Sequence, residues 1–314
     1  MKNLLKRSIS ATILFVVLIP FIFITYYGLF PGRIIGFCFY FLFTLWASFE
    51  IIKHLNWNPF SKVFALFGIG LSFLMPIDQQ LRYMFVTTSD LPHTISLAGD
   101  SLANAIKLYA FSPTINSLSM INWVASVICL IVAAILSYKH LVWKELLIAI
   151  TVTIIIPLFT KILFIINIYN IYILLAIELI AISVDTSAML GGMALGQKFI
   201  KRKFAPRISP KKTWEGAIIS VLFGMIVVFL ATSLSNWTNN SYTTIFSSNL
   251  AIVTAVIFLP IVTILGDLLY SLFKRVLKIK DFSNLIPGHG GIMDRFDSVS
   301  VLTIVFSLIY VYAN

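Results

Sequence analysis

Nine predominantly apolar runs, near 9–30, 34–52, 63–77, 121–136, 146–159, 171–196, 216–235, 250–269 and 299–313, constrain this 314-residue chain more than any other feature. A helix needs about 20 apolar residues to cross a bilayer, and a spanning segment must satisfy its own backbone hydrogen bonds. The runs are continuous, not alternating, which argues against a transmembrane β-barrel. The expected fold is therefore all-α, a polytopic integral membrane protein with about nine transmembrane helices. Charged residues make up only 11% of the chain. Soluble domains carry about 25%, so none is expected here.

The first run follows Lys2, Lys6 and Arg7. It is too long, and too rich in Phe and Tyr, for the core of a signal peptide, and it reads as the first membrane helix. Cys38 and Cys129 both fall inside apolar runs and read as packing residues, with no disulfide and no zinc site. Lysine and arginine placement sets the orientation. With the N-terminus cytoplasmic, the inside loops hold Lys53 and Lys62, then Lys139 and Lys144, then the dense set from Lys198 to Lys212, then Lys274 to Arg295. The opposite segment 236–249 carries no positive charge. The net charge of +11 belongs to these loops, and no nucleic-acid partner is expected. Residues 1–136 form an N-terminal transmembrane region whose role is open between a dimer contact and a lipid-facing surface. Residues 137–314 form the catalytic transmembrane region. The polar stretch 78–120 reads as a surface loop with a short helix and carries no assigned chemistry.

Charge, glycine, proline and histidine concentrate in two inside loops and the helix ends beside them. A charge near or within an apolar helix is costly, so it marks a pathway or a site. In the segment 267–298, a continuing helix would place Asp267, Ser271, Lys274 and Lys278 on one polar face. Asp294 and Asp297 are three apart and share a helix face. Paired carboxylates beside lysine, arginine and a glycine-rich turn suit Mg2+ shared with substrate phosphates, with room for a second ion. Gly288, Gly290 and Gly291 permit close backbone approach, and successive N–H groups there can bind an anion. Asp267, Asp294 and Asp297 are the candidate metal ligands. A plain basic loop meeting water and headgroups accounts for Lys278 and Lys280, but not for three acids among them. In the second loop, Ser209-Pro210 reads as a turn, Lys211 and Lys212 as phosphate partners, and Thr213 or Glu215 as the cap of the next helix.

Ser271, Lys274-Arg275, Lys280-Asp281, Ser283, Ile286-Pro287, His289-Gly290-Gly291 and Asp294-Arg295-Phe296-Asp297 match the signature of the phosphatidate cytidylyltransferase (CDP-diacylglycerol synthase) family. The run Ser209-Pro210-Lys211-Lys212-Thr213-Trp214-Glu215-Gly216 resembles that family's second motif, and Asp185-Thr186 with Ala188 resembles a third stretch. Departures fall at Ser187, Met189, Met193 and Gln197. The resemblance covers 185–298 well and the first half only through its hydropathy. It implies a metal-dependent nucleotidyl transfer from CTP to phosphatidic acid within a lipid bilayer. The site would face the cytoplasm, and the Ile-, Asn- and Lys-rich composition points to a bacterial inner membrane. On this reading Asp294, Asp297, Asp267 and Lys274 are catalytic. Ser209, Lys211, Lys212, Thr213, Asp185, Arg275, Lys280, His289, Gly290, Gly291 and Arg295 bind substrate.

Three rival readings exist. A CDP-archaeol synthase or a polyprenol kinase shares the setting and the nucleotide. A CDP-alcohol phosphotransferase needs a glycine and downstream acids that 294–298 lacks. An anion transporter would hold its polar sites near the bilayer midplane.

Overall fold

The structure, a computed structural model, describes residues 16, 18–74, 99–111, 118–237, 245–285 and 290–313. In chain order its helices are α1 (Leu18–Tyr27), α2 (Leu29–Ile52), α3 (Pro59–Phe73), α4 (Gly99–Ile106), α5 (Leu118–Leu136), α6 (Trp143–Tyr169), α7 (Ile171–Leu195), α8 (Trp214–Trp237), α9 (Asn249–Val276) and α10 (Met293–Ala313). A two-stranded antiparallel hairpin, β1 (Lys203–Ala205) and β2 (Ser209–Thr213), joins α7 to α8. Among the described residues the apolar runs lie in helices, the first of them divided between α1 and α2. Helices α2, α6, α7, α8 (over Trp214–Leu234), α9 and α10 are long and apolar enough to cross a membrane. Helices α1, α3 and α5 (over Met120–Leu136) are apolar but shorter among the described residues.

Polar residues decide where the helices break and how they meet. The stretch 146–196 has four interruptions in sequence, yet α6 runs straight through Pro157, Lys161 and Asn167. Only Asn170 breaks it, because its Oδ1 accepts the N–H groups of Tyr172 and Ile173 at 3.0 and 3.2 Å and caps α7. Pro157 and Pro260 sit inside α6 and α9 without ending them. Membrane helices tolerate this where neighbouring helices shield the freed carbonyl. Lys161 turns inward and is 2% exposed, with its ammonium 3.5 Å from the Leu74 carbonyl.

Small residues bring the helices close. At Gly28-Leu29 the chain reverses, with Leu29 at φ +50°, so α1 folds back on α2 and Phe21 stacks on Phe39 at 4.5 Å. A Cβ on Gly32 or Gly36 would fall onto the Ile24 carbonyl or the Thr25 side chain. In the same way Gly216 meets the Ala188 carbonyl and Gly224 meets Val184 and Pro260, which lets α7, α8 and α9 approach closely. Hydrogen bonds across helices add registry: Thr44 with Thr160 at 2.7 Å, and Asn56 on both oxygens of Glu145 at 2.9 and 2.6 Å.

The structure corrects two local expectations. The helix within 78–120 is present as α4, but it is no surface feature. Leu102, Ile106 and Tyr109 are buried, and α4 packs on α6 and α10. Burying an apolar face outweighs the polarity of the flanking sequence. Residues 75–98 and 112–117 of that stretch lie outside the described residues, as do 238–244. The turn in the second loop is not at Ser209-Pro210, which opens β2, but at residues 206–208, where Pro206 supplies the fixed φ that a turn needs.

Candidate active site

The C-terminal ends of α2, α7 and α9, the hairpin and the N-terminus of α10 meet at one end of the bundle. Helix α9 continues four turns past Pro260, so Asp267, Ser271 and Lys274 do share a face. Ser271 donates its hydroxyl to Asp267 Oδ1 at 3.1 Å. Lys278 does not share that face. The helix ends at Val276 in a motif where the Ile279 N–H reaches the Lys274 carbonyl and the Lys278 N–H reaches Arg275. Lys278 takes the left-handed position that closes such an end, at φ +56°.

Two lysines hold the carboxylates. Lys212, on β2, pairs with Asp267 Oδ2 at 2.7 Å, and Arg275 donates its Nε to the Ile208 carbonyl at 3.0 Å. These two contacts dock the hairpin on α9. Lys274 lies 3.0 Å from Asp294 Oδ1 and 3.7 Å from Asp297 Oδ2, and its ammonium sits over the Phe282 ring at 5.3 Å. Asp185, on α7, accepts the Ser298 hydroxyl at 2.8 Å and is near enough to Asp267 and Asp297 for their charges to interact. Thus α7, α9 and α10 each bring a carboxylate to one place.

Asp294 divides its two oxygens between tasks. Oδ2 accepts the N–H groups of Phe282 and Gly291, both at 2.8 Å, while Oδ1 faces Lys274. One oxygen fastens the glycine-bearing loop to the start of α10, and the other belongs to the site. Gly290 has φ +88°, and a Cβ there would lie 2.8 Å from Asp294 Oδ2. A residue other than glycine is strained there on both counts.

Most of the sequence-predicted residues are brought together. Asp185, Lys212, Asp267, Lys274, Asp294, Asp297, Gly290 and Gly291 line one place, with Arg295 near enough to Asp185 for their charges to interact. Thr213 caps α8 by accepting the Gly216 N–H at 3.2 Å. Glu215 instead takes the N–H groups of Phe199 and Ile200 at 3.1 and 2.8 Å. Ser209 opens β2 half-buried, and Lys211 and Lys280 stand exposed at the rim. His289 lies outside the described residues. Of the departures, Met189 and Met193 point outward, 57% and 68% exposed, and Ser187 bonds back to the Ser183 carbonyl of its own helix.

Sequence reasoning missed Glu50, His54, Phe282 and Ser298. Glu50, 1% exposed at the end of α2, accepts the Ser283 hydroxyl at 2.6 Å and the N–H groups of Ile292 and Met293 at 3.1 and 2.9 Å. His54 donates its Nε2 to the Phe282 carbonyl at 2.8 Å. A signal for Glu50 was present, since it is the one acid in the run 34–52.

The donor set at this place is carboxylate oxygen, the chemistry a hard divalent cation takes. Among the described residues no three acids, histidines or cysteines are already gathered at ligand distance. Lysine ammonium groups lie among the carboxylates, so positive charge is already held where a metal ion would bind. Asp267 Oδ2, Asp294 Oδ1 and Asp297 Oδ2 are oxygen donors of the kind such an ion takes, and each is paired with a lysine here.

Fold and site together define a polytopic helical membrane protein that gathers carboxylates and lysines at one end of its bundle. Residues 5–313 match the cytidylyltransferase family, and the chain belongs to that family. It is similar to a phosphatidate cytidylyltransferase of Rickettsia conorii, 40% identical over 130 residues, which is 41% of this chain and 54% of the relative. Similarity extends to proteins of the same name in Haemophilus influenzae, 36% over 148 residues (46% of this chain, 47% of the relative), and Pseudomonas aeruginosa, 37% over 134 residues (43% and 45%). The chain spans about half the length of the curated relatives it matches.

Proposed function

We propose that this protein transfers the cytidylyl group of CTP to phosphatidic acid, releasing pyrophosphate and forming CDP-diacylglycerol. The observation that carries the reading is the meeting of Asp185, Asp267, Asp294 and Asp297 with Lys212 and Lys274 beside a left-handed glycine turn. A phosphate oxygen of the lipid attacks the α-phosphorus of CTP. The bond from that phosphorus to the oxygen bridging to the β-phosphorus breaks, and pyrophosphate leaves with the electron pair. Every reacting group is anionic, so positioning and charge stabilisation dominate and no protein nucleophile is needed.

Lys212 and Lys274 rest on carboxylates and turn to phosphate oxygens when substrate enters. Lys211 and Lys280 at the rim, with Arg275 and Arg295, supply further positive charge to the triphosphate and the lipid phosphate. The Gly290-Gly291 backbone allows a phosphate to approach, and Thr213 and Ser209 set the hairpin wall. Asp267, Asp294 and Asp297, with Asp185 beside them, would hold Mg2+, which supplies charge neutralisation along the triphosphate. The site faces the cytoplasm of a bacterial inner membrane, where CTP is present.

The test is pyrophosphate release by detergent-purified protein given CTP, Mg2+ and phosphatidic acid, each omitted in turn. Release that needs all three, with a CDP-lipid product, is the expected result. Activity only with a polyprenol or an ether lipid overturns the substrate. Silence of folded protein with every acceptor overturns the reaction.

A further inference from the structure

We infer that Glu50, on α2 in the N-terminal half, is a positioning residue that clamps the middle of the glycine-bearing loop to the start of α10. The loop leaves α9 after Val276, passes through Phe282 and Ser283, and ends where α10 begins at Met293. Ser283, midway along it, and Ile292 and Met293, where it ends, meet on one carboxylate. Glu50 Oε1 accepts the Ser283 hydroxyl and the Ile292 N–H, and Oε2 accepts the Met293 N–H. The first N–H groups of a helix have no partner within it and carry the positive end of its dipole, so a carboxylate is the best acceptor for them.

One turn further along the chain, His54 fixes the Phe282 carbonyl. Phe282 is then held on three sides: its N–H on Asp294, its carbonyl on His54, and its fully buried ring at right angles to Tyr270. Gly291 completes the fit, since a Cβ there would occupy the space of the Glu50 carboxylate. Glu50 itself is buried, with both oxygens taken up by the loop. It acts through the backbone, by setting where α10 starts and therefore where Asp294 and Asp297 stand relative to Lys274. The buried carboxylate has no ion pair among the described residues, so its stabilisation comes from these three donors.

The inference rests on the reading of this place as the catalytic site, and its test has an arm independent of turnover. Glu50→Gln, Glu50→Ala and Ser283→Ala are made in the full chain, and kcat and KM for CTP are measured beside hydrogen exchange over 282–293. Glutamine keeps the shape but turns an NH2 group toward at least one donor. Its kcat is expected to fall about tenfold, and that of Glu50→Ala about a hundredfold, with KM for CTP within about twofold of the parent. Amides of Ile292 and Met293 are expected to exchange at least about tenfold faster while the other helices stay protected. Combining Glu50→Gln with Ser283→Ala is expected to cost less than the sum of the two. A kcat within twofold of the parent in folded Glu50→Ala overturns the inference. So does faster exchange spread over the whole protein with unchanged kcat per folded molecule, which is the mark of a stability residue only. Should the parent protein fail to turn over CTP, the function reading falls, and local exchange at 292 and 293 still decides the clamp.

Discussion

Replacing Asp294 by asparagine tests the double duty of that carboxylate. Three donors converge on it: the Phe282 and Gly291 N–H groups on Oδ2 and the Lys274 ammonium on Oδ1 at 3.0 Å. An amide offers one acceptor oxygen. If that oxygen keeps the two N–H groups, the NH2 points at the Lys274 ammonium. If it is flipped toward Lys274, the NH2 points at two N–H groups. Either orientation sets donor against donor, with Asp294 only 3% and Lys274 only 12% exposed. Removing one partner of a buried ion pair costs about 3–5 kcal/mol. Lys274 keeps Asp297 at 3.7 Å as a weaker partner, so we expect a loss near the lower limit, about 3 kcal/mol.

Loss of one aimed electrostatic group lowers kcat by about 10²–10³-fold. Here the loop and Lys274 shift together, so a fall of about 10³-fold in kcat is expected, equivalent to about 4 kcal/mol. The assay is formation of labelled CDP-lipid from CTP by purified, detergent-solubilised protein, beside thermal unfolding followed by tryptophan fluorescence. Turnover within threefold of the parent protein, with the fold intact, would refute the assignment of Oδ1 to the site.

Three further outcomes follow from the same geometry. Asp267→Asn is expected to lower kcat by about 10²–10³-fold. The same variant loses only a partly exposed pair with Lys212, so thermal unfolding should show a cost under about 1 kcal/mol. Gly290→Ala places a side chain at φ +88° and a Cβ against Asp294 Oδ2, and calorimetry or fluorescence should register a loss of roughly 2 kcal/mol with lowered turnover. Lys278→Gly relieves a left-handed lysine at the end of α9, and a rise in stability of about 0.5–1 kcal/mol with unchanged kcat is the expected result.

What the sequence determined by itself was the class of fold and the set of acids and lysines that the fold gathers. Apolar runs long enough to exclude backbone from water must become helices, whatever surrounds them. Carboxylates and lysines at helical spacing along 267–274 and 294–297 are local facts, so Asp267, Lys274, Asp294 and Asp297 were legible before any packing was known. Local patterns also mislead where packing overrides them. Pro157 and Lys161 looked like breaks, Ser209-Pro210 looked like a turn, and Lys278 looked like part of a helical face.

Tertiary structure alone decided which distant residues meet. The pairing of Lys212 with Asp267, of Asp185 with Ser298, and of Glu50 with Ser283, Ile292 and Met293 spans gaps in sequence that no periodicity encodes. The physical reason lies in what a buried polar group demands. A carboxylate removed from water must find donors, and it takes them from whichever helix end the packing of small residues and apolar faces brings within reach. Glu50 shows both sides of this. Its presence in an apolar run marked it as costly, and only the fold revealed that the cost is met by the loop carrying the site.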